Sequence, residues 1–162
     1  MASSDTQVIL DYFRIIVKSL REASKSAEKS SGMSSAQLFV LQKIAESGEP
    51  LTINALAQKT HTHQSSVSVV VSKLVKAKLV DRVQSKVDAR SAEVMLSEKA
   101  KSLLKKSSPL IQQRLIDGIA RLSKEQRRGL SEGLSALIEK TNLQDQTPTL
   151  FFEETATRKK NV

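Results

Sequence analysis

The chain predicts a mainly helical protein with a small two-stranded β-wing, a winged helix-turn-helix carried between long N- and C-terminal helices. Three observations predict it. Apolar residues recur at helical spacing over most of the 162 residues. Residues 52–78 read as two short helices joined by a tight turn. Two β-rich runs, 79–83 and 92–96, then flank a charged tip.

The first segment, Asp5 to about Lys29, predicts a long helix. Val8, Ile9, Tyr12, Phe13, Ile15, Ile16, Val17 and Leu20 give it an apolar face wider than one packing partner needs. Ser30-Ser31-Gly32-Met33 breaks it. Ser34 offers an N-cap, and Gln37 stands at capping-box spacing. Leu38, Phe39, Leu41, Ile44 and Ala45 follow on a helix that stops at Ser47-Gly48. Glu49-Pro50 forces an extended lead-in to Leu51-Thr52.

The central pair comes next. Thr52 caps a helix from Ile53 to Lys59. Thr60-His61-Thr62 makes the turn, and a second helix runs from about His63 to Lys78. Its Val67, Val70, Val71 and Leu74 recur at helical spacing and are assigned to a core. Its first turns hold Gln64, Ser65, Ser66 and Ser68. A helix that only packs has no use for so many hydroxyls and amides there, whereas one whose N-terminal end enters a DNA major groove bonds base edges and phosphates with them. Thr62 and His63 sit at the same end, and Lys73 and Lys76 are placed toward phosphates. Between the two strands lie Lys86, Asp88 and Arg90. A tip of this kind suits a minor groove: Arg90 enters it, Lys86 adds charge, and Asp88 braces the Arg90 side chain without touching DNA. The competing reading of Asp88 and Arg90 is a surface ion pair of ~0–1 kcal/mol.

Ser97 caps the next helix, with Glu98 in its first turn where the dipole favours an acid. Leu103, Leu104, Leu110, Ile111, Leu115, Ile119 and Leu122 continue an apolar face, and Pro109 is expected to kink the helix at Ser107-Ser108 or divide it. Ser123 and Gln126 repeat the capping-box spacing before a last helix bearing Leu130, Leu134, Leu137 and Ile138, ended by Thr141-Asn142. Gln144 to Val162 reads as an irregular tail, part of which is expected to dock through Phe151 and Phe152.

The pattern over these residues resembles the multiple-antibiotic-resistance regulators, the MarR family. Leu79-Val80 ends the second helix, Asp88-Ala89-Arg90 forms the wing tip, and Leu96-Ser97 opens the next helix. Two positions depart from the family pattern: Lys78 replaces a usual Gly, and Val69 replaces a frequent Arg. The resemblance implies residues 1–33 as a dimerisation helix, 34–100 as the DNA-binding region, 101–143 as further dimerisation helices and 144–162 as a tail. It also implies a homodimer on a near-palindromic operator, most simply a repressor. A small phenolic or anionic effector is implied in a crevice near Tyr12, Arg14 and His61.

Composition bounds the alternatives. The net charge is +9, with 8 basic against 4 acidic side chains in residues 50–100 and 9 against 4 in residues 101–143. A basic folded region suits a polyanion, and equally a solvated surface. There is no cysteine, no glycine-rich phosphate loop and no H-E-x-x-H pattern, so neither a catalytic set nor a cofactor is expected. His61 and His63 alone make a poor metal site. No apolar run approaches the ~20 residues of a membrane span. Met1 to Thr6 carries no charged-then-apolar leader pattern, and a cytoplasmic protein is expected. The alternative function is a winged helix that contacts protein rather than DNA.

Overall fold

The computed structural model describes residues 4–85, 92–105 and 110–152. Their order is α1 (Asp5–Ser31), α2 (Ser35–Ser47), β1 (Leu51–Thr52), α3 (Ile53–Thr60), α4 (Gln64–Lys76), β2 (Val80–Gln84), β3 (Ala92–Leu96), α5 (Glu98–Leu104), α6 (Ile111–Arg121) and α7 (Lys124–Lys140). This is the mainly helical winged helix-turn-helix that the periodicity predicts.

Local chemistry sets the helix boundaries. Ser34, Thr52, Ser97 and Ser123 each accept a hydrogen bond from a backbone amide in the first turn, and Ser34 and Ser123 complete capping boxes with Gln37 and Gln126. Ser4 caps α1 in the same way. Gly32 and Gly48 close α1 and α2 at φ 69° and 70°, in the left-handed region where glycine carries no Cβ penalty.

The sheet has three strands rather than two, in the order β1-β3-β2, all antiparallel. Leu51 and Thr52, expected only as an extended lead-in, pair with Val94 and Glu93. On the other edge of β3, Val80 lies opposite Leu96 and Gln84 opposite Ala92.

Helix α2 is the hub. Ala36, Leu38, Phe39, Val40 and Leu41 are buried on successive sides of it, the mark of a helix surrounded by protein. Leu56 of α3, the four predicted positions Val67, Val70, Val71 and Leu74 of α4, Val80 of β2, Val94 of β3 and Ala100 of α5 complete one core with it. The α3–α4 pair therefore rests on α2, and the wing is rooted in the same core. Among the described residues no helix is long and apolar enough to cross a membrane.

Beyond the wing, α5 and α6 are separate helices; Ser107, Ser108 and Pro109 lie outside the described residues. Helix α7 has no buried residue, although Leu130, Leu134, Leu137 and Ile138 line one side of it. The tail docks, but not through its phenylalanines. Leu150 is buried in the core, and the Gln112 side-chain amide donates to the Phe151 carbonyl at 3.1 Å, while the Phe151 and Phe152 rings stay outside. Leu150 belongs to the same buried cluster as Leu110, whereas Phe151 is 52% exposed.

Candidate nucleic-acid interface

Helices α3 and α4 are joined by a turn closed without glycine. His61 sits at φ 51°, its amide donates to the Gln58 carbonyl at 3.2 Å, and the Thr62 amide reaches back to Ala57 at 3.1 Å. This is a left-handed closure satisfying the last carbonyls of α3. The end of α4 is built the same way. Lys78 sits at φ 57°, its amide donates to Val75, and the Leu79 amide donates to Leu74, both at 3.0 Å. The absence of glycine at position 78 does not prevent the closure. Burial of Leu74 and Leu79 on either side of the turn holds Lys78 in the strained conformation.

The start of α4 differs from the capped starts of α1, α2 and α3. His63 stands at the N-cap but makes no side-chain cap bond. From there the helix divides cleanly. Val67, Val70, Val71 and Leu74 face the core, each at most 1% exposed. Gln64, Ser65, Ser68, Val69 and Lys76 are exposed, with Ser72 and Lys73 half-buried beside them. Ser65, Val69, Ser72 and Lys76 follow at i, i+4, i+7 and i+11, one stripe along the outward side. The Ser72 hydroxyl donates back to the Ser68 carbonyl at 2.8 Å.

One expected groove residue fails on geometry. Ser66 is 4% exposed, on the same side as Val67 and Val70, so it belongs to the packed face. A short polar side chain in a serine-rich turn reads as outward by type; helical phase turns it inward. Ser72 was overlooked and joins the outward face, a placement the same phase carries. His63, Gln64, Ser65 and Ser68 are exposed as expected, with Thr62 half-buried. At the wing root the Ser85 hydroxyl donates to the Glu93 carboxylate at 2.7 Å. Lys86, Asp88 and Arg90 lie outside the described residues.

The expected effector residues lie on two elements, Tyr12 and Arg14 on α1 and His61 at the end of α3. Tyr12 is 62% exposed on α1. Arg14 is engaged with Asp11, donating to its carboxylate at 2.6 Å. The Gln7 amide and then this guanidinium hold the Asp11 carboxyl below the usual carboxylate range. His61 lies at the far end of α3, and among the described residues no hydrogen bond or ion pair joins it to Tyr12 or Arg14. A cleft of about 510 Å³ opens elsewhere, between the end of α2, β3 and α5. Ile44, Pro50, Met95, Leu96 and Leu104 line it, with Lys101 and Lys105 at hand. His61 and His63 are joined by no third metal-ligating side chain among the described residues.

Comparison with known proteins agrees with this architecture. Residues 31–91 match a family model described as the MarR family. An uncharacterized HTH-type transcriptional regulator of Mycobacterium bovis is 26% identical over 144 residues, covering 87% of this chain and 99% of that protein. Among solved structures, Sco3205, a MarR family transcriptional regulator from Streptomyces coelicolor in complex with DNA, matches with a TM-score of 0.60 at 22% identity, over 93% of this chain and 99% of that one. The transcriptional regulator BldR from Sulfolobus solfataricus matches with a TM-score of 0.54 at 22% identity, over 83% and 94%. The matched segment runs from the end of α1 through the α3–α4 pair into the wing, and over that segment the chain is similar to the MarR family and shares its winged helix-turn-helix fold.

Proposed function

We propose that the chain is a dimeric, sequence-specific double-stranded DNA-binding transcriptional regulator of the cytoplasm, acting as a repressor. The observation that carries this is the two-sided α4: an outward side of small polar side chains, Val69 and Lys76, backed by a face packed rigidly into the core. Such a helix presents hydrogen-bonding groups to base edges without having to order itself first. Its N-terminal end, with Thr62, His63, Gln64, Ser65 and Ser68, would enter the major groove. Lys73 and Lys76 would approach phosphates, and Lys86 and Arg90 of the wing the adjoining minor groove. The DNA complex of the Streptomyces coelicolor relative supports the same use of the fold.

A second subunit supplies what one chain lacks. Helix α7 leaves Leu130, Leu134, Leu137 and Ile138 between 39% and 44% exposed, and α1 leaves Ile9, Tyr12, Ile15 and Ile16 uncovered. Apolar faces of this extent are the halves of an obligate interface. Two-fold symmetry would then set two α4 helices on half-sites ~34–36 Å apart. Release by a small phenolic or anionic molecule belongs to the same reading, with the cleft beside Lys101 and Lys105 as the built space available to it.

The test is selection of bound duplexes from a random pool, followed by titration of the preferred duplex over a range of salt. A near-palindromic consensus and a steep salt slope are expected. Salt-insensitive binding with no sequence preference overturns the proposal in favour of a winged helix that contacts protein.

A further inference from the structure

Among the described residues of α4, Val69 is the one large apolar side chain that faces outward. It is 44% exposed, while its neighbours Val70 and Val71 are at 1% and 0%. It lies on the stripe between Ser65 and Ser72, and Ser68 is beside it. It is the sixth residue of the helix, within the first two turns, the part of a reading helix that meets base edges. Its chemistry is unlike that of every residue around it. Valine offers no hydrogen bond and is too short to reach a phosphate past its neighbours. Its β-branch confines it in a helix to one dominant rotamer, so its two methyls are held in a fixed place.

The major groove exposes one apolar group on its base edges, the C5 methyl of thymine. We infer that Val69 is a specificity-determining residue that packs against a thymine methyl in each half-site, while Gln64 and the outward serines make the hydrogen bonds. This rests on the DNA-binding reading above and adds to it a base identity. A position read by Val69 demands thymine for its methyl group and not for its hydrogen-bonding edge. The contact discriminates thymine from uracil, which most polar readers do not.

The experiment uses the full-length protein and the duplex selected from the random pool. Each thymine of one half-site, and its symmetry mate, is replaced in turn by uracil, which removes the methyl and leaves base pairing intact. Wild-type protein is expected to lose roughly ten- to hundredfold in affinity at one position, the combined effect of one lost apolar contact in each half-site, and little at the others. Val69→Ala is expected to bind the thymine duplex as weakly as wild type binds that uracil duplex, and to show no further loss on uracil substitution. Alanine is the better helix former, so the variant should fold, and circular dichroism checks that it does. Tolerance of uracil at every position by wild type overturns the inference, as does an equal loss in both proteins. Failure to select any preferred duplex is a different result. It removes the DNA-binding reading itself, and this assignment with it.

Discussion

The Ser97 hydroxyl donates to the Lys78 carbonyl at 2.9 Å while accepting the Ala100 amide at 3.2 Å. The Ser97 amide also donates to the Leu79 carbonyl at 3.0 Å. One residue thus caps α5 and fastens it to the end of α4, across the whole length of the wing. Ser97→Ala should cost about 1–2 kcal/mol by urea denaturation, combining a lost cap with a carbonyl left without its donor. Ser97→Asp keeps a capping oxygen but has no hydroxyl proton for Lys78, so it should recover only part. Full recovery with Asp would show that the Lys78 bond contributes nothing.

Lys78 itself holds φ 57°. A side chain in that region costs ~1–2 kcal/mol, which glycine avoids in exchange for a more flexible unfolded chain. Lys78→Gly should therefore raise stability by about 0.5–1 kcal/mol. An unchanged or lower denaturation midpoint would contradict this.

Helix α7 places Leu134 in the middle of its uncovered apolar side. Leu134→Glu should leave the winged helix folded but shift sedimentation from dimer to monomer at micromolar concentration, because a carboxylate in a dry interface has no partner. A dimer of undiminished affinity would place the interface elsewhere.

The wing prediction concerns Arg90 and Asp88. Arg90→Ala should weaken DNA binding, lower the salt slope by roughly one charge and reduce preference for A·T pairs at the flanks of the site. Asp88→Ala should give a milder form of the same loss. Both should remain dimers. If Arg90→Ala matches wild type at every salt concentration, the wing is not a DNA contact.

In the tail, Leu150 is 5% exposed and Phe151 52%. Leu150→Ala should cost about 2–4 kcal/mol, as truncation of a buried leucine does, and Phe151→Ala about 0.5 kcal/mol or less. Thermal melts of the two variants rank them, and the reverse order would refute the docking described.

These results also separate what the chain states locally from what it settles at a distance. The caps at Ser34, Thr52, Ser97 and Ser123 were legible because an N-cap and its amide lie within one turn. The core face of α4 was legible because Val67, Val70, Val71 and Leu74 keep helical phase. The same phase turns Ser66 inward, and residue type alone misplaced it. Strand β1 was not legible, since a two-residue strand exists only through its pairing with β3, more than forty residues on. Nor was the docking of Leu150, which joins a core assembled from residues far away in the chain and is not set by the hydrophobicity of its neighbours. Lys78 shows tertiary packing overriding a local preference.

Strand β3 is hydrogen-bonded along both edges, to β1 at Leu51 and Thr52 and to β2 from Val80 to Gln84. Thr52 is at the same time the cap of α3. The root of the wing is therefore anchored from the side of the helix pair, independently of whatever residues join β2 to β3. A hairpin held only by its own turn would change register when that turn was altered; this one has a second template. The segment 86–91, beyond the Ser85–Glu93 hydrogen bond, is thereby open to exchange. Tips of different length or charge could be grafted there without rebuilding the domain, making the wing an interchangeable module through which one scaffold can acquire new preferences.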